Sequence, residues 1–559
     1  MSGRSAASPA SEFAIALLAE FVRAGVQDIV VSPGSRSQAL ALAAARFEEV
    51  GLIRLHVRID ERSGAFFGLG LARETGTPVL LVTTSGTATA ELHPAVLEAS
   101  HAGIPLILLT ADRPDELRGV GASQATIQPE LYGTAVRLAL DVPAPTPGGD
   151  HAGDAARLVA EALAGSMQLG GGPVHLNLAF REPLSGSAVL ADVESGEWAP
   201  DAVDGEVAQL RPRPGTVVVA GDGAGERAEA AARALGAPLL AEVVSGARFG
   251  PNLVPAYREL IRSAGFGDRI ERVIVFGRPT LSREVGALVA RPGVETLIVR
   301  GSGREDWNPA RSFRVVDDVV VVEEPEVLAQ ARPWVGRWVA ASRALLEVDE
   351  GPAASLSEDS RERAQFARDQ LSRLREPVTR RMLVDAVWKA SWPHDRLVLG
   401  ASRLIRELDR VAGGKKVVVH SNRGLAGIDG TIATALGIAA ASQAEGASGD
   451  RGITRLLLGD LALQHDLGSL LAPAGEASPR IQLIVGNDGG GTMFDLLEVA
   501  DTADKQLFDR VLYTPNSLDI AALAAAAGWE YRRVDTRADL DPALTPSPGR
   551  VLIEVALPR

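Results

Sequence analysis

The stretch RLLLGDLALQHDLGSLLAPAGEASPRIQLIVGNDGGG (455–491) decides the fold. An apolar run stops at Gly459-Asp460, and a second apolar run, IQLIV, stops at Gly486-Asn487-Asp488-Gly489. Both runs are continuously hydrophobic rather than alternating. That pattern predicts strands buried on both faces, as in a parallel sheet, joined here as one strand–helix–strand unit. Asp460 and Asn487 lie 27 positions apart, so both project from neighbouring strand ends. One carboxylate and one amide suit a divalent cation shared with a diphosphate, whose own oxygens already carry negative charge. The glycines let backbone approach an anion, and Gly489 offers the cation a carbonyl. Asp and Asn also favour ordinary turns, so each turn alone has a plain structural reading.

The same pattern recurs outward along the chain. DIVVSPG (28–34), PVLLVTTSG (78–86), PLILLTADRP (105–114), TVVVAGDG (216–223), RVIVFGRP (272–279) and LIVRGSG (297–303) are short apolar runs ending in Gly, Ser, Thr, Asp or Pro. Ala-rich stretches between them, such as SQALALAAARFEEV, read as crossover helices. The prediction is an α/β protein with three doubly wound, mostly parallel sheets. Two weakly periodic stretches, 186–214 and 346–377, read as linkers. They divide the chain into 1–186, 215–345 and 378–559. Gly221-Asp222-Gly223 mimics the metal turn, but Phe249 stands where an Asn would be needed, so it reads as a strand-to-helix turn.

Composition narrows the function. The chain has 559 residues, 46% hydrophobic and 23% charged, with a formal net charge of −14. A nucleic-acid partner is disfavoured, because phosphate neutralisation needs a basic surplus. The absence of cysteine excludes disulfides, thiolate metal sites, iron–sulfur clusters and a Cys nucleophile. The N-terminal MSGRSAASPASEF has no signal-peptide core, and no run approaches the roughly 18 apolar residues of a membrane span. A soluble, cytoplasmic protein is expected.

A second carboxylate stands out in HVRIDERSGAFFGLGLA (56–72). Glu61 follows a short strand and opens a helix, where the dipole stabilises a negative charge. With TSGTATAELHPAVLEA (84–99), SPGSRS (32–37), ADRP (111–114), GASQA (121–125), SNRGLAGIDG (421–430) and the GDL…NDGGGTMF pair (459–494), the chain closely resembles the 2-succinyl-5-enolpyruvyl-6-hydroxy-3-cyclohexene-1-carboxylate synthase family. The likeness covers the first and last units nearly end to end and is weak in the middle, where FGRPTLSRE (276–284) carries it. GDL and ND depart from the GDG and NN of related thiamine enzymes.

The resemblance implies a transferase of menaquinone biosynthesis with a thiamine-diphosphate-binding fold, using thiamine diphosphate and Mg²⁺ (or Mn²⁺). It implies decarboxylation of 2-oxoglutarate and 1,4-addition of the resulting succinyl-semialdehyde carbanion to isochorismate. Glu61 would hold the aminopyrimidine ring as the catalytic carboxylate. Ser85, Gly86, Thr87, Ile428, Leu461, Met493 and Phe494 would line the cofactor, and Asp460, Asn487 and Gly489 would hold the metal. Both substrates carry carboxylates, which the planar fork of Arg binds in bidentate fashion. Ser35, Arg36, Arg113, Gln124, Arg283, Ser402, Arg406 and Arg423 are the matching positions. Ser402 and Arg406 are four apart, as on one helix face. Ser123, Gln38 and Glu284 depart from the family's usual Asn, Thr and cation. His56, His93, His420 and His465 read as structural. A homodimer or homotetramer is implied, with the cofactor between the first unit of one chain and the last of another. Two other readings stay open: an acetolactate-synthase-like decarboxylase, and a non-catalytic thiamine- or nucleotide-binding regulator.

Overall fold

The apolar runs quoted above all form strands, and every strand ladder is parallel. The structure, a computed structural model, describes residues 8–190, 192–199, 205–322, 324–346, 360–444 and 452–559. The first sheet comprises Asp28–Val31, Arg54–Val57, Val79–Thr83, Leu106–Asp112, Leu138–Val142 and Val174–Ala179. The last sheet comprises Arg396–Leu399, Val418–His420, Thr454–Gly459, Ile481–Asn487, Glu530–Val534 and Arg550–Ala556. Counted along the chain, both have the strand order 2-1-3-4-6-5. Shared order in two separate six-stranded sheets is what duplication of one ancestral unit produces.

The middle sheet has five strands, ordered Arg314–Val316, Glu295–Val299, Arg272–Phe276, Thr216–Ala220 and Leu239–Ala241. Val217, Val218 and Val219 are all fully buried, the consequence of helices on both faces. Each such side chain contributes roughly 1.5–3 kcal/mol relative to exposure. A two-stranded parallel pair, Val207–Leu210 with Asp318–Val321, lies at its flank.

The described residues between 186 and 199 pack against the first unit. Ala188 and Leu190 pack on the first core and Val193 is buried in it, while the Gly196 N–H donates to the Val22 carbonyl at 3.1 Å. These residues strap the first unit as far as Trp198, whose backbone passes against Gly25. Val207–Leu210 then begins the middle unit ahead of residue 215. Residues 200–204 and 347–359, parts of the two expected linkers, lie outside the described residues. Ser360–Leu374 is a helix with no buried residue. No described helix is long and apolar enough to cross a membrane.

A helix crossing and two sets of ion pairs are among the contacts that join the units. Helix Glu61–Thr75 crosses helix Thr431–Ser442 at glycines. A Cβ added to Gly70 would lie 2.1 Å from the Thr434 carbonyl oxygen, and one on Gly437 2.1 Å from that of Phe67. Only glycine permits that approach. Glu74 joins Arg396 at 2.7 Å and His420 at 2.8 Å. Asp222, in the turn that mimics the metal motif, pairs with Arg73 at 2.7 Å and so serves as a docking residue.

Candidate active site

Strands Thr454–Gly459 and Ile481–Asn487 are adjacent, with Gly459 opposite Gly486. Asp460 and Asn487 therefore emerge side by side at the carboxyl edge of the last sheet, where open α/β sheets hold ligands. Asp460 is 4% exposed. Its carboxylate accepts only N–H groups: Asn516 Nδ2 at 2.8 Å and the Leu461 amide at 2.8 Å. Burial, with Asp488 nearby, pushes its pKa up to about 6. A buried carboxylate with no cationic partner among the described residues is electrostatically unfinished.

Asn487 Nδ2 donates to Glu554 at 2.8 Å, which fixes the amide and turns Oδ1 toward the Gly489 amide at 3.2 Å. Gly489 has φ +75°, the left-handed region glycine enters freely. Carboxylate, amide oxygen and backbone carbonyl form the hard oxygen set that Mg²⁺ takes, so the residues fit the ion. Asp488 is tied to Arg380 at 2.7 Å and Thr492 at 2.5 Å. Met493 and Phe494 follow in the short turn Thr492–Leu496.

Next to this turn, Ser402 faces Gly459. It caps helix Arg403–Val411 through its hydroxyl, which accepts the Leu404 N–H at 3.2 Å. Ser402 thus precedes the helix rather than sharing its face, and Arg406 donates back to the Ser402 carbonyl at 3.2 Å. Arg406 loses basicity through partial burial and then through Arg423, Arg258 and Arg283. Arg283 comes from the middle unit, is exposed, and opens helix Arg283–Val289. Glu284 beside it is taken up by Arg262 and Ser282. Arg423 is 5% exposed and donates Nε and Nη2 to Thr280 Oγ1 at 2.9 and 2.8 Å.

The first sheet gathers a second group at its own carboxyl edge. The Arg36 amide meets Thr84 Oγ1 at 3.3 Å and its Nη1 donates to the Phe180 carbonyl at 3.0 Å. Its Nε is buried without a hydrogen-bond partner among the described residues. Burial and then Arg113 lower the Arg36 pKa. Arg113 donates to the Ser123 carbonyl at 2.8 Å. Ser85 and Gln124 exchange hydrogen bonds at 2.8 and 3.1 Å, and the Gly86 amide is held by Gln128 at 2.8 Å. Thr87 begins the following short helix and Ser35 is exposed at the rim.

Glu61 opens its helix with Asp60 as N-cap, whose carboxylate accepts the Ser63 N–H at 3.1 Å. Among the described residues the Glu61 carboxylate has no hydrogen-bond or ion-pair partner. Its neighbours contact the far end of helix Asp460–His465 and the turn after it: Arg62 reaches the His465 carbonyl at 3.2 Å and Ser63 meets Ser469, in the turn Leu467–Leu470, at 2.9 Å. Ile428 packs into the core shared by the first and last units. The structure places Asp460, Asn487 and Ser402 at the carboxyl edge of the last sheet and Arg36, Arg113, Ser85 and Gln124 at that of the first. Among the described residues no hydrogen bond or ion pair joins Glu61, Ser85, Gly86 or Thr87 to Asp460 or Asn487. Three of the four histidines are held by neighbours: His56 by Asp28 at 3.0 Å, His420 by Glu74 at 2.8 Å, and His93 edge-on to Tyr132.

Residues 12–135 match the family described as thiamine pyrophosphate enzyme, N-terminal TPP binding domain. The chain is 56% identical over 574 residues to the 2-succinyl-5-enolpyruvyl-6-hydroxy-3-cyclohexene-1-carboxylate synthase of Leifsonia xyli subsp. xyli (strain CTCB07), covering 99% of this chain and 97% of the relative. It is 52% identical over 576 residues to the synthase of the same name from Clavibacter michiganensis subsp. michiganensis (strain NCPPB 382), covering 99% and 97%. The crystal structure of benzoylformate decarboxylase from Polynucleobacter necessarius shares the fold, with a TM-score of 0.65 at 17% identity over 98% of each chain. The family match and the two relatives together define a thiamine-diphosphate enzyme. Within that class, the chain belongs to the 2-succinyl-5-enolpyruvyl-6-hydroxy-3-cyclohexene-1-carboxylate synthase family.

Asn516, Glu554, Glu98, Glu242 and Thr280 escaped the sequence reading. Each acts across a long separation, and nothing local marks the last four. The run of turn-forming residues at 514–517 was the only available signal, for Asn516.

Proposed function

We propose that the protein decarboxylates 2-oxoglutarate and adds the remaining four-carbon unit to isochorismate, using thiamine diphosphate and Mg²⁺ (or Mn²⁺). The observation that carries the substrate class is the placing of like charges. At the last sheet Arg406 loses basicity through burial and then through the charges of Arg423, Arg258 and Arg283, and at the first Arg36 does so through burial and then through Arg113. Such repulsion is relieved by bound carboxylates, and both proposed substrates supply them. Pyruvate, with one carboxylate, would leave much of this charge unused, which disfavours the acetolactate-synthase-like reading. A Glu61 carboxylate without a partner among the described residues and a buried Asp460 disfavour a non-catalytic regulator.

Asp460, Asn487 and the Gly489 carbonyl would hold the cation. Leu461, Met493 and Phe494 would border the diphosphate, Ser85, Gly86 and Thr87 the pyrimidine. When bound, thiamine diphosphate supplies the nucleophilic carbon and the electron sink for decarboxylation. Glu61 fixes the aminopyrimidine ring through a proton held at its carboxylate, and Ile428 supports the cofactor from its apolar side. Ser35, Arg36, Arg113, Gln124, Arg283, Ser402, Arg406 and Arg423 orient the substrate carboxylates. Two half-sites on one chain call for a homodimer that joins the first half of one copy to the last half of the other, with tetramers as paired dimers. Action in the cytoplasm belongs to the same proposal and accords with a cysteine-free chain.

The direct test supplies 2-oxoglutarate, isochorismate, thiamine diphosphate and Mg²⁺, and follows CO₂ and product mass. Release of CO₂ with an isochorismate-dependent adduct is expected. Preferential turnover of pyruvate, or none of either acid, contradicts the proposal.

A further inference from the structure

Arg423 stands where the three units meet, and its surroundings are unusually determined. Two buried glutamates flank it, each spanning a pair of successive backbone amides. Glu98, 3% exposed on a first-unit helix, accepts Gly424 N–H at 2.8 Å on one oxygen and Leu425 N–H at 2.7 Å on the other. Glu242, fully buried in the middle unit, accepts Thr280 N–H at 3.0 Å and Leu281 N–H at 2.7 Å in the same way. Thr280 then takes Arg423 Nε and Nη2 on its hydroxyl.

The peptide after Arg423 is fixed on its other side as well. Arg278 donates to the Gly424 carbonyl at 3.3 Å. A Cβ on Gly424 would lie 2.8 Å from the Glu98 carbonyl oxygen, so only glycine lets the loop lie against that helix. Arg258 holds the Leu281 carbonyl at 2.9 Å, completing the second clamp. Arg423 Nη1 has no hydrogen-bond partner among the described residues, so one edge of the fork is left for a ligand.

A buried carboxylate needs donors, and two adjacent amides satisfy it while immobilising the peptide that carries them. An arginine retains several rotatable bonds and binds a carboxylate well only when its plane is fixed. Both requirements are met around one side chain, from two units that contribute nothing to the metal turn.

We propose that Glu98 and Glu242 are positioning residues that set the Arg423 guanidinium, Glu98 through the Gly424–Leu425 peptide and Glu242 through Thr280. The inference rests on the reading of Arg423 as a substrate-carboxylate ligand. It gives the middle unit a defined task, the aim of a binding group it does not carry.

The test is a double-mutant cycle. Glu98→Gln, Glu242→Gln and Thr280→Val are made alone and on an Arg423→Ala background, and KM for both substrates, kcat and thiamine diphosphate affinity are measured. Each single variant should raise KM for the substrate that Arg423 binds about tenfold, the scale of one weakened charge-assisted hydrogen bond. Values of kcat should stay within about threefold, with cofactor affinity unchanged. On the Arg423→Ala background the same changes should move KM by less than about twofold, because coupled residues do not add. Thr280→Val removes one hydroxyl and decides the matter where a buried glutamate variant misfolds. KM effects that persist in full on Arg423→Ala, or single variants with both KM values unchanged, overturn the proposal. If Arg423→Ala itself leaves both KM values unchanged, the reading of Arg423 fails first, and the positioning role with it.

Discussion

At the residue scale, two carboxylates have opposite environments. Asp460 is buried among amide donors, whereas Glu61 has no hydrogen-bond or ion-pair partner among the described residues. Glu61→Gln should fold and bind cofactor yet lose about 10²–10⁴-fold in turnover, the usual weight of a proton-handling group. Near-normal turnover would reduce Glu61 to the first residue of a helix. Asp460→Ala and Asn487→Ala should each weaken thiamine diphosphate binding in Mg²⁺, measurable by titration, because a ligand of the cation is gone. Arg406→Ala should raise KM for isochorismate about 10- to 150-fold and spare single-turnover consumption of 2-oxoglutarate. Collapse of that first step would move Arg406 to the other substrate. The placements of Asp460 and Asn487 at strand ends and of Glu61 at a helix start were legible in the sequence, because apolar runs show where strands stop. Glu98 was not, since the amides it holds lie 326 and 327 positions away.

At the scale of elements, the crossing of helices Glu61–Thr75 and Thr431–Ser442 fixes how the first and last units meet. Gly437→Ala would drive a methyl into the Phe67 carbonyl, so the helices must part. The expected destabilisation is about 1–3 kcal/mol, the range for overpacking, read from a denaturant midpoint. An unchanged midpoint would mean that the crossing relaxes freely. On the first sheet, His175 is buried beside Thr110 Oγ1 at 2.6 Å, and burial lowers its pKa to about 4. The fold therefore favours neutral imidazole. Between about pH 6.5 and 4 the unfolded chain binds the extra proton, so stability falls as pH falls through that window. His175→Gln should flatten that acid slope; an unaltered slope would assign it to other groups. Strands were legible from continuous apolar runs, since burial on both faces leaves no alternation to misread. Val207–Leu210 was missed because its four residues alternate between exposed and buried within an acidic, glycine-containing stretch.

At the scale of the whole molecule, two sheets of the same order present ligand-facing edges that do not meet within the chain through any described hydrogen bond or ion pair between Glu61 and the metal turn. The account requires a second copy to complete each site. Equal mixing of inactive Glu61→Gln and inactive Asp460→Ala chains, after demonstrated subunit exchange, tests this directly. In a hybrid dimer one site takes intact Glu61 from one chain and intact Asp460 from the other, and the second site takes both lesions. Random pairing makes half the dimers hybrids, so about a quarter of wild-type adduct formation from 2-oxoglutarate and isochorismate should return. Exchange without any recovered activity would place the complete site within a single chain and contradict the account.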